Sequence, residues 1–266
     1  MEVINFLKKN YNFKGKNILI TGANGKIGLK LAKFFYNSGA NLILTDKTKE
    51  TKRILNNFRK SKNKLKYIQC DLSISEDKKK FIKFLNNKFS KIDVLINNAA
   101  LTGDQLNYQT KKNISNKDEN LIKEIEVNLI SCIEIVKGIK KLLLKSKNSC
   151  IVNISSIYGF TAPKFEIYKN TKLSNPVGYS VSKGGIIQLT KWLASYLAPY
   201  VRVNCLSPGG IRRKQSQNFI RLYSKNTLLK KMASDEDVVN GIIFLASNAA
   251  KYITGHNLIV DGGWSS

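Results

Sequence analysis

The sequence predicts a doubly wound α/β fold, with a seven-stranded parallel sheet covered by helices on both faces. Three observations point to it. Seven short β-branched runs alternate with longer helical patterns. Several of these runs are apolar almost throughout, as strands buried on both faces must be. The first run also enters a glycine-rich turn that opens straight into a helical pattern. At 266 residues the chain has the length of one α/β domain spanning 1–266. Such a domain buries roughly three quarters of its unfolded surface and needs no disulfide or structural metal.

Taken in order, residues 1–13 read as a short N-terminal extension. Strands are expected at 17–21, 41–45, 66–70, 93–96, 150–155, 201–206 and 257–260, and helices at 26–38, 48–60, 75–90, 119–145, 179–198 and 235–247. Two connections break this rhythm. Segments 157–178 and 210–233 far exceed the roughly two to six residues usual between a strand and a helix, and long connections tend to carry function. Both are read as substrate-side loops.

The formal charge is +27, which raises the question of a polyanionic partner. Only six of the 45 basic residues are arginine, and the lysines run along the whole chain in a background rich in asparagine and isoleucine. Scattered lysine on solvated helix faces accounts for the charge better than a nucleic-acid surface, which favours clustered cations and arginine. No nucleic-acid partner is expected, although the charge can attract an anionic substrate. Cys70, Cys132, Cys150 and Cys205 are scattered, and His256 is the single histidine. This excludes a zinc-type ligand set and suggests core cysteines in a reduced, cytoplasmic setting. Neither a signal-peptide core nor a run of about 20 apolar residues is present, so no membrane association is expected.

The turn Gly22-Ala23-Asn24-Gly25-Lys26-Ile27-Gly28 follows the strand Ile18-Leu19-Ile20-Thr21. Glycines at such a turn permit a tight bend, close approach of backbone to a pyrophosphate, and helix–strand packing. The helix start then offers free N–H groups to phosphate. This is the dinucleotide site of a Rossmann-type fold. Asp46 ends the second strand 24 positions after Gly22, where a carboxylate accepts from both ribose hydroxyls and repels a 2′-phosphate. The reading is NAD, with NADP as the alternative because Lys26 and Lys47 stand close in sequence. Asp71-Leu72 and Asn97-Asn98-Ala99-Ala100 end the next two strands. Their tips belong to the same crevice.

At the other end, Asn153-Ile154-Ser155-Ser156-Ile157-Tyr158-Gly159 leaves the fifth strand, and Tyr179 and Lys183 lie four apart on a helix. Side chains at that spacing share a face. Hydride transfer at a carbinol carbon needs a group that moves the hydroxyl proton. A free tyrosine, with a pKa of about 10, is a poor base, and a neighbouring ammonium favours its phenolate form.

These features together resemble the short-chain dehydrogenase/reductases over nearly the whole chain. The residues that carry the resemblance are 21–28, Asp71, 97–100, Asn128 in Val127-Asn128-Leu129, Ser156, and Tyr179 with Lys183. Ser207-Pro208-Gly209-Gly210 and the ending Thr254-Gly255 with Val260-Asp261-Gly262-Gly263 complete the set. The resemblance implies a catalytic tetrad of Asn128, Ser156, Tyr179 and Lys183. Tyr179 would be the general acid/base and Ser156 would orient the substrate oxygen. Lys183 would also bind the nicotinamide ribose, and Asn128 would anchor a relay water. Ser156 rather than Ser155 matches the family's serine. Cofactor contacts are implied for Gly22, Asn24, Gly25, Lys26, Ile27, Gly28, Asp46, Asp71, Leu72, Asn98, Ala99, Ala100, Tyr179, Lys183, Pro208, Gly209 and Ile211, and assembly as a homotetramer or homodimer is implied too. The chain is also similar to oxidoreductases of bacterial surface-polysaccharide and flagellin-glycan gene sets, and to gluconate-5-dehydrogenase-like and 3-oxoacyl-carrier-protein-reductase-like enzymes.

Three departures stand out. The glycine spacing T-G-x-x-G-x-x-G is that of the larger sugar-nucleotide branch, while everything downstream fits the single-domain branch. Ser156 and Tyr179 are 23 positions apart, longer than the family's usual gap. The insert 164–177 carries Phe165, Tyr168, Lys169, Lys172 and Asn175. The threonine usual after the Pro-Gly motif is replaced by Ile211-Arg212-Arg213-Lys214, which places three cations near the expected substrate mouth. The expected activity is NAD(P)-dependent interconversion of a secondary alcohol and a ketone on a small sugar-like or anionic substrate, such as a sugar phosphate. A non-catalytic dinucleotide-binding regulator and a sugar epimerase with transient oxidation are the alternatives.

Overall fold

A computed structural model describes residues 1–49, 58, 64–102, 118–169, 171 and 173–266. Seven parallel strands form one sheet: β1 (Asn17–Thr21), β2 (Asn41–Asp46), β3 (Leu65–Gln69), β4 (Val94–Asn97), β5 (Ser149–Ile154), β6 (Val201–Pro208) and β7 (Asn257–Val260). Their order is β3-β2-β1-β4-β5-β6-β7. The helices are α1 (Glu2–Asn10), α2 (Lys26–Asn37), α3 (Ser75–Lys88), α4 (Asp118–Ile125), α5 (Ser131–Leu144), α6 (Val177–Leu197), α7 (Gln217–Lys225) and α8 (Asp235–Ala246). This is the predicted doubly wound fold, and all seven expected strands form within two residues of their expected limits.

The apolar runs become strands because alternate side chains serve opposite faces. Leu19, Ile43, Leu95, Ile151 and Val203 make one row across five strands in register. They pack under α3, α5 and α6 with Phe81, Ile139 and Leu193. Ile18, Ile20, Leu42, Leu44, Val94 and Ile96 turn the other way and meet Leu31, Phe35, Ile242 and Leu245 of α2 and α8. Central strands are buried along nearly their whole length, whereas the edge strands β3 and β7 are only partly covered.

Several expectations are refined. The N-terminal extension contains α1, and Phe13 behind it is a core residue. The 210–233 connection is not wholly a loop, since it carries α7. The 119–145 helix is interrupted by a π turn at Glu126–Ile130. The predicted helix at 48–60 falls almost entirely outside the described residues, although Phe58 is helical and buried. Among the described residues, no helix is long and apolar enough to cross a membrane.

Phe35 is fully buried, with the ring of Phe13 edge-on at 4.8 Å and that of Phe34 at 5.4 Å. Phe35→Ala should lower stability by about 3–5 kcal/mol, read as a lowered urea midpoint at unchanged m-value.

Candidate active site

A cleft of about 560 Å³ opens beyond the carboxyl ends of β1 to β4, where the strand order reverses direction between β1 and β4. Gly22 has φ 65°, a left-handed conformation that glycine adopts without a steric cost. A Cβ on Gly22 would lie 2.8 Å from the Ala99 Cα, and one on Gly28 would overlap the Gly22 carbonyl oxygen. The glycines therefore let β1, α2 and the β4 tip touch. The Asn98 side-chain amide donates to the Thr21 and Gly22 carbonyls at 2.9 and 3.0 Å. The Thr21 hydroxyl accepts the Asn98 and Ala99 N–H groups at 3.1 and 3.0 Å. The start of α2 at Gly25 has no side-chain cap and no acidic residue in its first turn. Its N–H groups and positive dipole end fit a pyrophosphate.

Gly22, Asn24, Gly25, Lys26, Ile27, Asp46, Asp71, Leu72, Asn98, Ala99 and Ala100 all line this cleft. The Asp46 carboxylate accepts the Asn24 N–H at 3.1 Å and the Thr48 N–H and hydroxyl at 3.2 and 3.1 Å. The strand tip and the glycine turn are thus tied together. Burial pushes the Asp71 carboxyl up, but bonds from the Ser73 amide and hydroxyl, with Lys123 and Lys47 nearby, hold it below its ordinary range. Lys123 and Thr48 are wall residues that no motif had singled out.

The far wall is formed from the β6 exit and the segment that follows it. Gly209 is occupied in bonding its N–H to the Val260 carbonyl at 2.9 Å. Ile211 forms a bridge with Ala233. The residue that reaches the cleft from this side is Arg213, ion-paired to Asp235 at the start of α8. Of the three cations expected at the substrate mouth, Arg213 thus belongs to the cofactor cleft. Arg212 lines a separate outer groove beside Lys230 and Lys231.

At the reactive end, β5 delivers two serines with different duties. The Ser155 hydroxyl donates to the Lys183 carbonyl at 2.8 Å. The Ser156 hydroxyl accepts the Tyr158 N–H at 3.2 Å and is bonded to the Tyr179 phenol. The Lys183 ammonium donates to the Ile154 carbonyl at 2.7 Å and lies 5.6 Å from the Tyr179 ring centroid. Asn128 sits in the π turn, a distortion often found at functional sites. Its carbonyl oxygen accepts the Leu101 N–H at 2.7 Å, and its amide donates to the Leu101 carbonyl and the Ser182 hydroxyl, both at 3.1 Å. Ser182 was not anticipated; it follows only from the helical face it shares with Tyr179.

Burial pushes the Tyr179 phenol up, the Ser156 bond pulls it back, and Glu124 adds to the rise. Burial pushes Lys183 itself down to about 8, and its proton is directed at Ile154. The insert is also less cationic than its sequence suggests. Lys164 donates to Asn226 at 3.0 Å and lies 4.9 Å from the Trp264 ring centroid, and Asn175 donates to the Ser180 hydroxyl at 3.1 Å. Phe165 and Lys169 are exposed, and Lys172 lies outside the described residues. All four cysteines are buried. Their thiols are pushed up, Cys70 to about 12 and Cys132 and Cys205 to about 11, which leaves them unreactive.

Comparison with known proteins places this geometry in context. The family described as "Enoyl-(Acyl carrier protein) reductase" matches residues 22–265. The chain is 33% identical over 257 residues to post-translational flagellin modification protein A of Campylobacter coli, covering 94% of this chain and 98% of that one. It is 33% identical over 254 residues to a 3-oxoacyl-[acyl-carrier-protein] reductase of Buchnera aphidicola, covering 93% and 96%. Among solved structures, a short chain dehydrogenase from Leptospira borgpetersenii with bound NAD+ superimposes with a TM-score of 0.82 at 32% identity, covering 96% and 94%.

Lys183 carries a testable cost. Its ordinary pKa of 10.5 falls to about 8 on folding, so between those values the unfolded chain binds more protons and stability rises with pH. The penalty for burying the ammonium is complete below about pH 8. Lys183→Met should therefore raise Tm at pH 7, and thermal melts should show this advantage shrinking as pH approaches 10.

Proposed function

The chain belongs to the short-chain dehydrogenase/reductase family and is an NAD(P)-dependent oxidoreductase; from that premise we propose that it interconverts a secondary alcohol and a ketone on a sugar-like substrate. The observation that carries this reading is the Tyr179 phenol bonded to Ser156 beyond the end of β5, with the buried Lys183 ammonium behind its ring. Bound NAD(P) supplies the hydride acceptor or donor. Tyr179 moves the proton of the substrate hydroxyl, and Ser156 orients the oxygen on which that proton is carried. Lys183 holds the ribose next to the nicotinamide, and Asn128 links the β4 exit to the start of α6 so that these groups keep one geometry. Asp46 supports a preference for NAD, because a carboxylate at the end of β2 would accept from the ribose hydroxyls and repel a 2′-phosphate. The polar insert supports a sugar-like substrate. The exposed stripe of Val181, Trp192 and Tyr196 on α6 is the surface on which a second copy would pack in a homodimer or homotetramer.

Spectrophotometry with NAD and NADP over neutral sugars, sugar phosphates and sugar acids tests the reading. Tyr179→Phe should reduce turnover about 10²- to 10⁴-fold while NADH affinity, followed by fluorescence titration, stays within twofold; full activity in that variant sinks the assignment. Because the Tyr179 phenol is held above its ordinary value, its basic form gains with pH. Alcohol oxidation should rise through the alkaline range and ketone reduction should fall, as recorded in pH profiles of kcat/KM in both directions.

A further inference from the structure

The insert before α6 brings a second pair of hydroxyls to the site. Tyr158 lies two residues beyond Ser156 and gives that serine its N–H. Its own hydroxyl meets the Tyr168 hydroxyl at 2.7 Å. Tyr168 comes from the insert, and its ring packs on Phe219 of α7 at 5.6 Å. Phe219 in turn neighbours Tyr223, which stacks on Trp264 at 4.3 Å and takes the Gly210 N–H on its hydroxyl. The β5 exit, the insert, α7 and the C-terminal segment therefore converge on one small apolar cluster with two phenol groups at its edge.

The hydrogen-bond count at this pair is incomplete. Two phenols carry two protons, and only one is used between them. The second proton has no partner among the described residues, and acceptor capacity remains on both oxygens. The Tyr158 N–H bond to Ser156 places that tyrosine beside the reacting centre, and the contact between the two hydroxyls brings Tyr168 next to it. Burial pushes both phenols up, so they stay uncharged through the physiological range. Two cations of the inserts are committed elsewhere: Lys164 to Asn226 and Trp264, and Arg213 to Asp235. A phosphate group would meet phenols here, while a neutral hydroxyl would find one donor and several acceptors in place.

Building on the oxidoreductase reading above, we propose that the Tyr158–Tyr168 hydroxyl pair binds a second hydroxyl of the substrate and selects uncharged polyols and sugars over their phosphorylated counterparts. These two tyrosines are specificity-determining residues, separate from the proton-transfer group Tyr179.

The test is equilibrium binding to the full-length protein saturated with NADH, with ribitol and D-glucose as neutral probes and D-glucose 6-phosphate as the charged one. The wild-type protein should bind a neutral probe more tightly than the phosphate. Tyr168→Phe and Tyr158→Phe keep their rings and should keep the wild-type Tm and NADH affinity. Each should weaken the neutral probe about tenfold, the scale of one buried hydrogen bond left unmade, and leave the phosphate unaffected. Unchanged neutral binding in both variants overturns the proposal and leaves the oxidoreductase reading standing. Tighter wild-type binding of the phosphate, or no binding of either neutral probe, overturns it as well. Failure of the wild-type protein to bind NADH would remove the oxidoreductase reading beneath it.

Discussion

One residue holds the reactive end of this protein together. The Lys183 ammonium reaches from α6 to the carbonyl of Ile154, the last residue of β5. The carbonyl of the same lysine accepts the Ser155 hydroxyl from the loop that leaves that strand. Gly159 closes on it so tightly that a Cβ would lie 2.7 Å from the Lys183 carbonyl oxygen. Strand, loop and helix are thus clamped at one point, and Ser156 and Tyr179 inherit their separation from the clamp. Burying an ammonium costs several kcal/mol unless its protons are well placed, and a charge-assisted bond to a carbonyl recovers part of that cost. A group so poorly suited to stability signals a site shaped by chemistry.

The two helix starts that face each other across Arg213 show how the same element is prepared for opposite purposes. At α8, Ser234 and Asp237 form a reciprocal capping box, and three acidic residues crowd the first turn. Its amides are satisfied within the protein, and Asp235 has charge left to hold Arg213. At α2 the cap is glycine, the first turn has no acid, and the nearest side chain is Lys26. Only the second leaves its donors and dipole for an outside anion. Through Asp235, the closed helix sets the position of an arginine on the wall of the cleft that the open helix serves.

What could be read in advance follows from the range of the interactions. The strands were legible because a parallel sheet buried on both faces demands continuous apolar runs, and residues 18–20, 94–96 and 150–152 supply them. The glycine turn and the Tyr179–Lys183 spacing were legible because they are local. Contacts made at a distance were hidden. Arg213 looked like a substrate cation until Asp235, 22 positions on, drew it to the cleft. The contacts of Lys164 with Trp264 and Asn226 span more than 60 positions and left no trace in the sequence. The burial that pushes the Tyr179 phenol up was hidden because it is set by the whole fold, whereas the lysine four residues away is visible in the sequence. Helices α1 and α7 were missed for a different reason. Each is short, and each sits in a segment whose charged and polar residues resemble those of a loop.

A chain with a formal charge of +27 might be expected to work by charge, yet its reactive end is built from neutral donors and acceptors. Lys78, the lysine most deeply buried beside the π turn, is neutralised by Glu126 and Glu134. Lys164 lies against an indole, Arg213 against a carboxylate, and Lys183 is pushed towards its neutral form. Around Tyr179 stand the uncharged side chains of Ser156, Ser182, Asn128, Tyr158 and Tyr168, with the buried Glu124 and Lys183 as the charged groups among them. In a water-poor pocket an unpaired charge is costly and a placed hydroxyl is not. The surface lysines therefore set the field through which ligands approach, and the choice among them falls to hydrogen-bond geometry. That division of labour separates the net charge of the chain from the hydrogen-bonding groups around Tyr179.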